Sequence, residues 1–192
     1  MDASGQRRAL ILLALLTVSS AGLWILASRS AIIPDIPARS AAELAAMTDQ
    51  ELENACVRDL SRQVYAADAP RSAGWRSLTA SGQALWVAIA FENRLRSGDV
   101  NLVMIQQALK AGADLPDFSE VQASCKELGF AKAAAHMGEV IRIFADHPIP
   151  GPAEHESLAR LQASWLAEIG SPVAQRTRLA YIRSHLSDLV SP

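Results

Sequence analysis

An uninterrupted apolar stretch near the N-terminus constrains this chain more than any other feature. Between Arg8 and Arg29, the 20 residues Ala9–Ser28 carry no charged side chain. As an α-helix they would be about 30 Å long, which matches the hydrocarbon core of a bilayer. A helix on the surface of a globular protein normally presents charged residues on one face. The stretch therefore predicts a membrane segment rather than a buried helix of a globular core.

Two kinds of membrane-targeting segment fit this stretch. A signal anchor, which stays in the protein as a transmembrane helix, is favoured by the length and by the flanking charges. A cleaved signal peptide is the alternative, because small residues follow the apolar run at Ser19–Gly22 and again at Ser28–Ser30. Arg7 and Arg8 favour a cytoplasmic N-terminus under the positive-inside bias. In both cases we expect the rest of the chain to be exported.

The sequence predicts four consecutive regions. A cytoplasmic N-terminus (1–8) precedes the transmembrane signal anchor (9–28), which would contact the lipid bilayer. A proline-containing linker (29–40) then leads to a helical domain (41–192). We expect a single-pass protein of a bacterial inner membrane with its C-terminal domain in the periplasm.

The domain is predicted to be all-α, with about seven helices. Aromatic residues make up only 5% of the chain, alanine and leucine supply most of the apolar content, and a period-two pattern of β-branched residues is missing. The most apolar helix contains the run Ala84–Phe91, which is too short to cross a bilayer and predicts the centre of the core. Helix-start signals recur at Ser40, Thr48, Thr79, Asp117 and Ser171.

Three pieces of the domain carry a family resemblance. They are Leu85-Trp86-Val87 with Phe91-Glu92-Asn93 and Ser97-Gly98-Asp99, then Leu128-Gly129-Phe130-Ala131 with Ile141-Arg142-Ile143-Phe144, and finally Tyr181-Ile182-Arg183-Ser184-His185. In this order they resemble the bacterial DNA-mimic-protein-like family of otherwise unknown function, over about residues 40–190. The resemblance implies an all-helical domain. After Phe-Glu the family pattern has two glycines and an aromatic residue, then a glutamine and an asparagine; this chain keeps one of the glycines but departs at Asp99, Val100, Leu102 and Gln106.

The charge of the domain argues against nucleic-acid mimicry. Residues 40–192 contain 14 Lys and Arg against 18 Asp and Glu, so the net charge is −4. A mimic must present dense negative charge to compete with phosphates for a basic protein. An exported domain would also meet no DNA-binding protein, so no nucleic-acid partner is expected.

The two cysteines suggest a possible disulfide. Cys56 and Cys125 each lie on the apolar stripe of a predicted helix. In an oxidising periplasm a bridge between them would close a loop of about 70 residues and contribute about 3–4 kcal/mol in the loop-entropy model. The alternative is that both are small buried thiols that never meet.

Glu92 is the strongest candidate for acid–base chemistry. It ends the most apolar helix, and a carboxylate at the edge of a core can have a raised pKa. The other polar residues of this candidate pocket are Asn93, Asp99 and Asn101. Together they support an alternative function, a small hydrolase or ligand-binding enzyme. The competing interpretation is a structural ion pair of Glu92 with Arg94, Arg96 or a neighbouring helix end.

No catalytic residue, metal ligand set or cofactor is predicted. The four histidines are scattered, with no pair at helical ligand spacing. The arginines of the last long helix, Arg176, Arg178 and Arg183, fit a solvated helix, with a contact to a membrane surface or a partner as the alternative. The leading hypothesis is a membrane-anchored, non-catalytic domain that binds an unidentified protein of the envelope. A cytoplasmic-facing nucleic-acid mimic is the third alternative.

Overall fold

The computed structural model describes residues 39–65 and 74–189. The predicted anchor, both candidate cleavage positions and nearly all of the predicted linker lie outside the described residues. The chain divides after Pro37 into two units, and every described residue belongs to the second. None of the described helices is both long enough and apolar enough to cross a bilayer.

The described residues form an all-α domain, as predicted. It contains no strand and has nine α-helices and one 3₁₀ turn within those ranges. In chain order they are α1 (Ala41–Ala45), α2 (Asp49–Val64), the 3₁₀ turn (Trp75–Ser77), α3 (Ala80–Arg96), α4 (Leu102–Lys110), α5 (Phe118–Glu127), α6 (Ala131–Asp146), α7 (Pro152–Ile169), α8 (Pro172–Ser184) and α9 (Leu186–Leu189).

The expected number of about seven helices matches those of nine residues or more, α2 to α8. The two additional helices are short, with five residues in α1 and four in α9. The helical spacing of Leu179, Ile182, Leu186 and Leu189 predicts one continuous helix, and this prediction is wrong. His185 leaves the helical backbone at φ −123° and ψ 20°, and its N–H bonds to the carbonyl of Ile182 instead of continuing the α-helical ladder.

The predicted helix starts are confirmed by their capping contacts. Ser40 and Glu43 form a reciprocal capping box at α1, in which the Ser40 N–H donates to Glu43 Oε2 at 2.7 Å. Asp117 caps α5 in the same way, accepting from the Glu120 N–H at 2.8 Å. Such contacts satisfy amide groups that have no partner inside the helix. They fix where each helix begins independently of the rest of the fold.

Helix α3 lies at the centre of the packing. It contacts α2, α5, α7 and α9. These neighbouring helices bury most of the residues of its apolar run. Phe91 meets Trp165 of α7 edge-on at 5.4 Å between ring centroids, and Phe118 of α5 at 6.1 Å. Trp165 is completely buried. The aromatic contacts join three helices in the middle of the core.

The short helix α9 is fastened to α2 and α3. The Thr79 hydroxyl, at the start of α3, donates to the carbonyl of Asp188 at 2.8 Å. Gln63 Nε2 of α2 donates to the carbonyl of Leu189 at 3.3 Å, and the Leu189 side chain is 2% exposed. Helix α9 therefore completes one side of the core.

A tight turn at Gly129 connects α5 with α6. Gly129 has a φ of +78°, which places it in the left-handed region. The N–H of Phe130 bonds to the Cys125 carbonyl at 2.7 Å, and that of Gly129 to the Lys126 carbonyl at 3.1 Å. These two bonds form a Schellman motif, for which glycine is favoured because it has no Cβ. Gly129 therefore ends α5 and leads directly into α6.

Candidate functional site

Glu92 is held in a buried cluster of ion pairs. Its side chain is 10% exposed, with Oε1 2.8 Å from Arg96 Nε and Oε2 2.9 Å from Arg178 Nη1. Arg178 Nε lies 2.8 Å from Glu53 Oε1. Two carboxylates and two guanidinium groups thus join α2, α3 and α8. Hydrogen-bonded charges of opposite sign compensate each other for the loss of water.

This cluster contains two residues that the sequence analysis missed. Arg178 was interpreted as solvated but is 8% exposed, and Glu53 was not singled out. A signal for Arg178 was present in the sequence, because it follows Ala174 by four residues and so lies on the same face of α8 as that buried residue. The pairing of Glu92 with Arg96 is one of the structural contacts expected from the sequence. Arg94 was the other arginine expected to pair with Glu92. It does not contact Glu92 in the described hydrogen bonds and ion pairs.

The other residues of the candidate pocket do not contact Glu92 in the described hydrogen bonds and ion pairs. Asn93 and Asp99 are exposed. Asn101 caps α4, where its side-chain oxygen accepts from the Met104 N–H at 3.0 Å. Among the described contacts none links Glu92 with Asn93, Asp99 or Asn101. The structure brings Glu92 together with arginines and does not assemble the proposed pocket around it.

Both cysteines are free thiols in the structure. Cys56 is 1% exposed and Cys125 is fully buried, each on the inner face of its helix. Burial raises the pKa of each thiol to about 11, and for Cys56 the nearby Asp59 carboxylate adds to the rise. At neutral pH both thiols are therefore protonated and poor nucleophiles. The bridge considered from the sequence is absent from this structure.

A surface cavity lies between α6 and α7. It is an open cleft of about 400 Å³. Its apolar lining comes from Ile143, Ala153 and Leu161. Its polar walls are formed by Glu139 and Arg142 on α6 and by Glu154, Ser157 and Arg160 on α7. On each helix the lining residues recur every three or four positions, so they share one face. We call this feature the α6–α7 cleft.

Two carboxylates and two guanidinium groups line the cleft, and two further carboxylates, Asp146 and Glu156, flank it. Arg142 contacts both Glu139 and Asp146, the latter at 3.0 Å, and these carboxylates raise its pKa, the Glu139 hydrogen bond most strongly. Arg142 in turn lowers the pKa of Glu139, which stays ionised. Arg160 pairs with Glu156 at 3.3 Å. Because one arginine is shared by two acidic residues, a negative charge remains at this end of the domain.

An exposed aliphatic residue adjoins the cleft. Ile149 is 90% exposed in the loop that connects the cleft-lining residues His147 and Ala153. The loop is tied to α4, because Lys110 Nζ donates to the carbonyl of Pro148 at 2.7 Å. Ile149 is therefore an exposed residue of the loop that bounds the cleft and is not itself a lining residue.

The described residues offer binding contacts in the cleft more readily than catalytic ones. No group of three or more His, Cys, Asp or Glu side chains in the described ranges is arranged to hold a metal ion. His147 Nε2 lies 3.9 Å from Glu154 Oε1, and Ser157 accepts from Arg160 at 3.2 Å. None of the described hydrogen bonds in the cleft joins a hydroxyl group to His147, which is the contact that an activated serine requires.

No family model, curated protein or solved structure matches this chain. The resemblance to the DNA-mimic-protein-like family therefore stays a prediction, and the function has to be argued from the site itself.

Proposed function

We propose that this protein is a membrane-anchored, non-catalytic helical domain that binds another protein at the periplasmic side of a bacterial inner membrane. The observation that carries the proposal is the α6–α7 cleft with Ile149 beside it. An apolar floor, charged walls and an adjoining exposed aliphatic side chain are the ingredients of a protein-binding surface. The uncharged stretch Ala9–Ser28 supports the anchor.

The contacts of Glu92 support a non-catalytic domain. A general acid or base must reach a substrate with an atom that is free to exchange a proton. Both carboxylate oxygens of Glu92 are already engaged, one with Arg96 and one with Arg178. The hydrolase alternative, which needs Glu92 to act with Asp99 or Asn101, has no comparable support.

Site-specific photo-crosslinking in cells tests the binding surface. A photoreactive residue at Ser164, which lines the cleft, should give a covalent protein adduct in the full-length protein. The matched control is Ala163, which is exposed on the same helix but does not line the cleft. Adducts at Ser164 and not at Ala163 are expected. Equal labelling at both positions, or none at either, would contradict the proposal.

The topology needs a separate measurement. A C-terminal tag should be digested by protease added to spheroplasts, while the undigested protein stays with the membrane at its full size. Protection of the tag until lysis would place the domain in the cytoplasm and would reopen the nucleic-acid-mimic alternative. Release of a shorter protein from the membrane would favour the cleaved signal peptide.

A further inference from the structure

We propose that the α6–α7 cleft binds helix α8 of a second copy of this chain. The inference rests on the proposed function, because it names the partner for the same cleft. It follows from a second exposed surface whose chemistry is the opposite of that of the cleft.

This second surface is a stripe along α8. Val173, Arg176, Ala180 and Arg183 are exposed and follow one another at intervals of three, four and three residues, which places them on one helical face. Val173 is 62% exposed, unusually open for a large aliphatic side chain. Arg183 is 42% exposed and contacts Asp49 at 2.7 Å. We call these four residues the α8 stripe.

The charges of the two surfaces are complementary. Two glutamates and two arginines line the cleft, and these arginines also contact two further carboxylates, Asp146 and Glu156. Of the three arginines of α8, Arg176 and Arg183 lie in the α8 stripe, whereas Arg178 is buried in the ion-pair cluster. Opposite charges across a contact steer association and disfavour wrong partners. The excess of two carboxylates around the cleft therefore favours a basic helix there.

The apolar groups are complementary as well. Only four large apolar side chains are exposed in the described ranges, and one belongs to each surface: Ile149 beside the cleft and Val173 in the α8 stripe. The cleft offers Ile143 and Leu161 as its apolar floor. A helix that inserts Val173 into it removes apolar area from water on both sides.

The contact is of the head-to-tail kind. The cleft and the α8 stripe are different surfaces, so each copy that fills a neighbour's cleft still has an open cleft of its own. Such a contact builds rings or open rows rather than a closed pair. Copies anchored in one bilayer would also meet at a high effective concentration, so a contact that is weak in solution would suffice.

Complementation between two full-length variants tests this geometry. One copy carries Val173→Glu with Arg176→Glu, which reverses the α8 stripe and leaves the cleft intact. The other carries Glu139→Lys with Ser157→Arg, which reverses one wall and fills the cleft. In membranes each variant alone should show about tenfold less self-association than the unchanged chain. The two together should restore association as a pair with one copy of each.

Engineered cysteines locate the contact. In otherwise unchanged full-length chains, Ser164→Cys on one tagged copy and Ala180→Cys on another should form a mixed dimer on mild oxidation. Ala163→Cys is the matched control and should form little of it. Circular dichroism of each variant, compared with the unchanged chain, identifies any that has lost helix, and an affected variant is replaced by the single substitution Arg176→Glu or Glu139→Lys.

The outcomes separate this inference from the proposed function. Restored pairing and the mixed dimer support it. Dimers of Ser164→Cys with itself, or variants that associate as well as the unchanged chain, would overturn it. If the cleft crosslinks to a different envelope protein and copies of this chain do not associate, the inference fails while the proposed function stands. If the cleft crosslinks to nothing, both fail.

Discussion

Removal of the Arg178 side-chain charge should destabilise the domain strongly. Among the described ion pairs, Arg178 alone contacts both Glu53 and Glu92, whose side chains are 14% and 10% exposed. In Arg178→Met the volume is largely retained, but two carboxylates are left at the junction of α2, α3 and α8. Breaking a buried pair in this way costs about 3–5 kcal/mol. Arg96 still contacts Glu92 but is 49% exposed, so it offsets only part of the loss.

The assay is denaturant unfolding of the full-length protein in a mild detergent, followed by the fluorescence of its tryptophans and by circular dichroism. A loss of about 3 kcal/mol corresponds to a fall in Tm of about 6–12 °C for a domain of this size. The matched control is Arg176→Met on the same helix. Arg176 is exposed, so the control should change the free energy of unfolding by less than about 0.5 kcal/mol.

A triple variant separates charge from packing. Adding Glu53→Gln and Glu92→Gln to Arg178→Met removes the uncompensated carboxylates, and a substantial part of the lost stability should return. An apolar or neutral replacement of a whole buried ion cluster is often tolerated, whereas removal of one partner is not. The reasoning is refuted if Arg178→Met is no less stable than Arg176→Met, or if the triple variant is less stable than the single one.

Further predictions concern the thiols, a turn and a helix cap. The pKa of about 11 at Cys56 and Cys125 predicts that neither reacts with iodoacetamide at pH 8 until the protein is unfolded, as mass spectrometry would show; rapid labelling of the folded protein would contradict their burial. Because folding raises these pKa values from 9.0, the stabilising effect of the neutral thiols is complete below pH 9 and is lost towards pH 11. Substitution of both by alanine should make the alkaline loss of stability shallower in a pH series of denaturation curves. Gly129→Ala, at φ +78°, should cost about 1–2 kcal/mol. Gly138→Ala should be nearly neutral, because displacement of the Gln122 amide from the Ala134 carbonyl is offset by the preference of a helix interior for alanine, each about 1 kcal/mol; similar Tm shifts for the two variants would refute the role of the turn. Asn101→Ala should lower stability by about 1 kcal/mol through loss of the α4 cap, and unchanged thermal unfolding would contradict that role.

Much of the secondary structure could be predicted because its causes are local. The capping box of Ser40 and Glu43 spans four residues, and the Schellman turn at Gly129 spans six. Such contacts need no knowledge of the rest of the fold. The end of α8 was harder to predict, because the apolar spacing continues from Ile182 to Leu189 although the backbone turns at His185. Apolar periodicity does not reveal a break that is compensated by contacts with distant helices.

The candidate site was harder to predict because it depends on distant residues. Helical spacing placed Glu92 at the edge of the core, but its partner Arg178 comes 86 residues later in the chain. The α6–α7 cleft depends on how two helices diverge, which no local pattern encodes. Its lining residues Glu139 and Arg160 look like ordinary solvated charges in the sequence. Only their position on facing helices makes them part of one surface.

The fastening of α9 to α3 has a consequence for how this domain is made. The helix at the centre of the core obtains its contacts with Asp188 and Leu189 only after more than 90 further residues have been synthesised. Until then, the side of the core that Leu189 completes stays open. If the domain is exported as proposed, this order is useful, because a chain that folds late can pass through a translocation channel in an extended form. The last short helix would then act as a timing element that delays completion of the core until almost the whole domain has crossed the membrane.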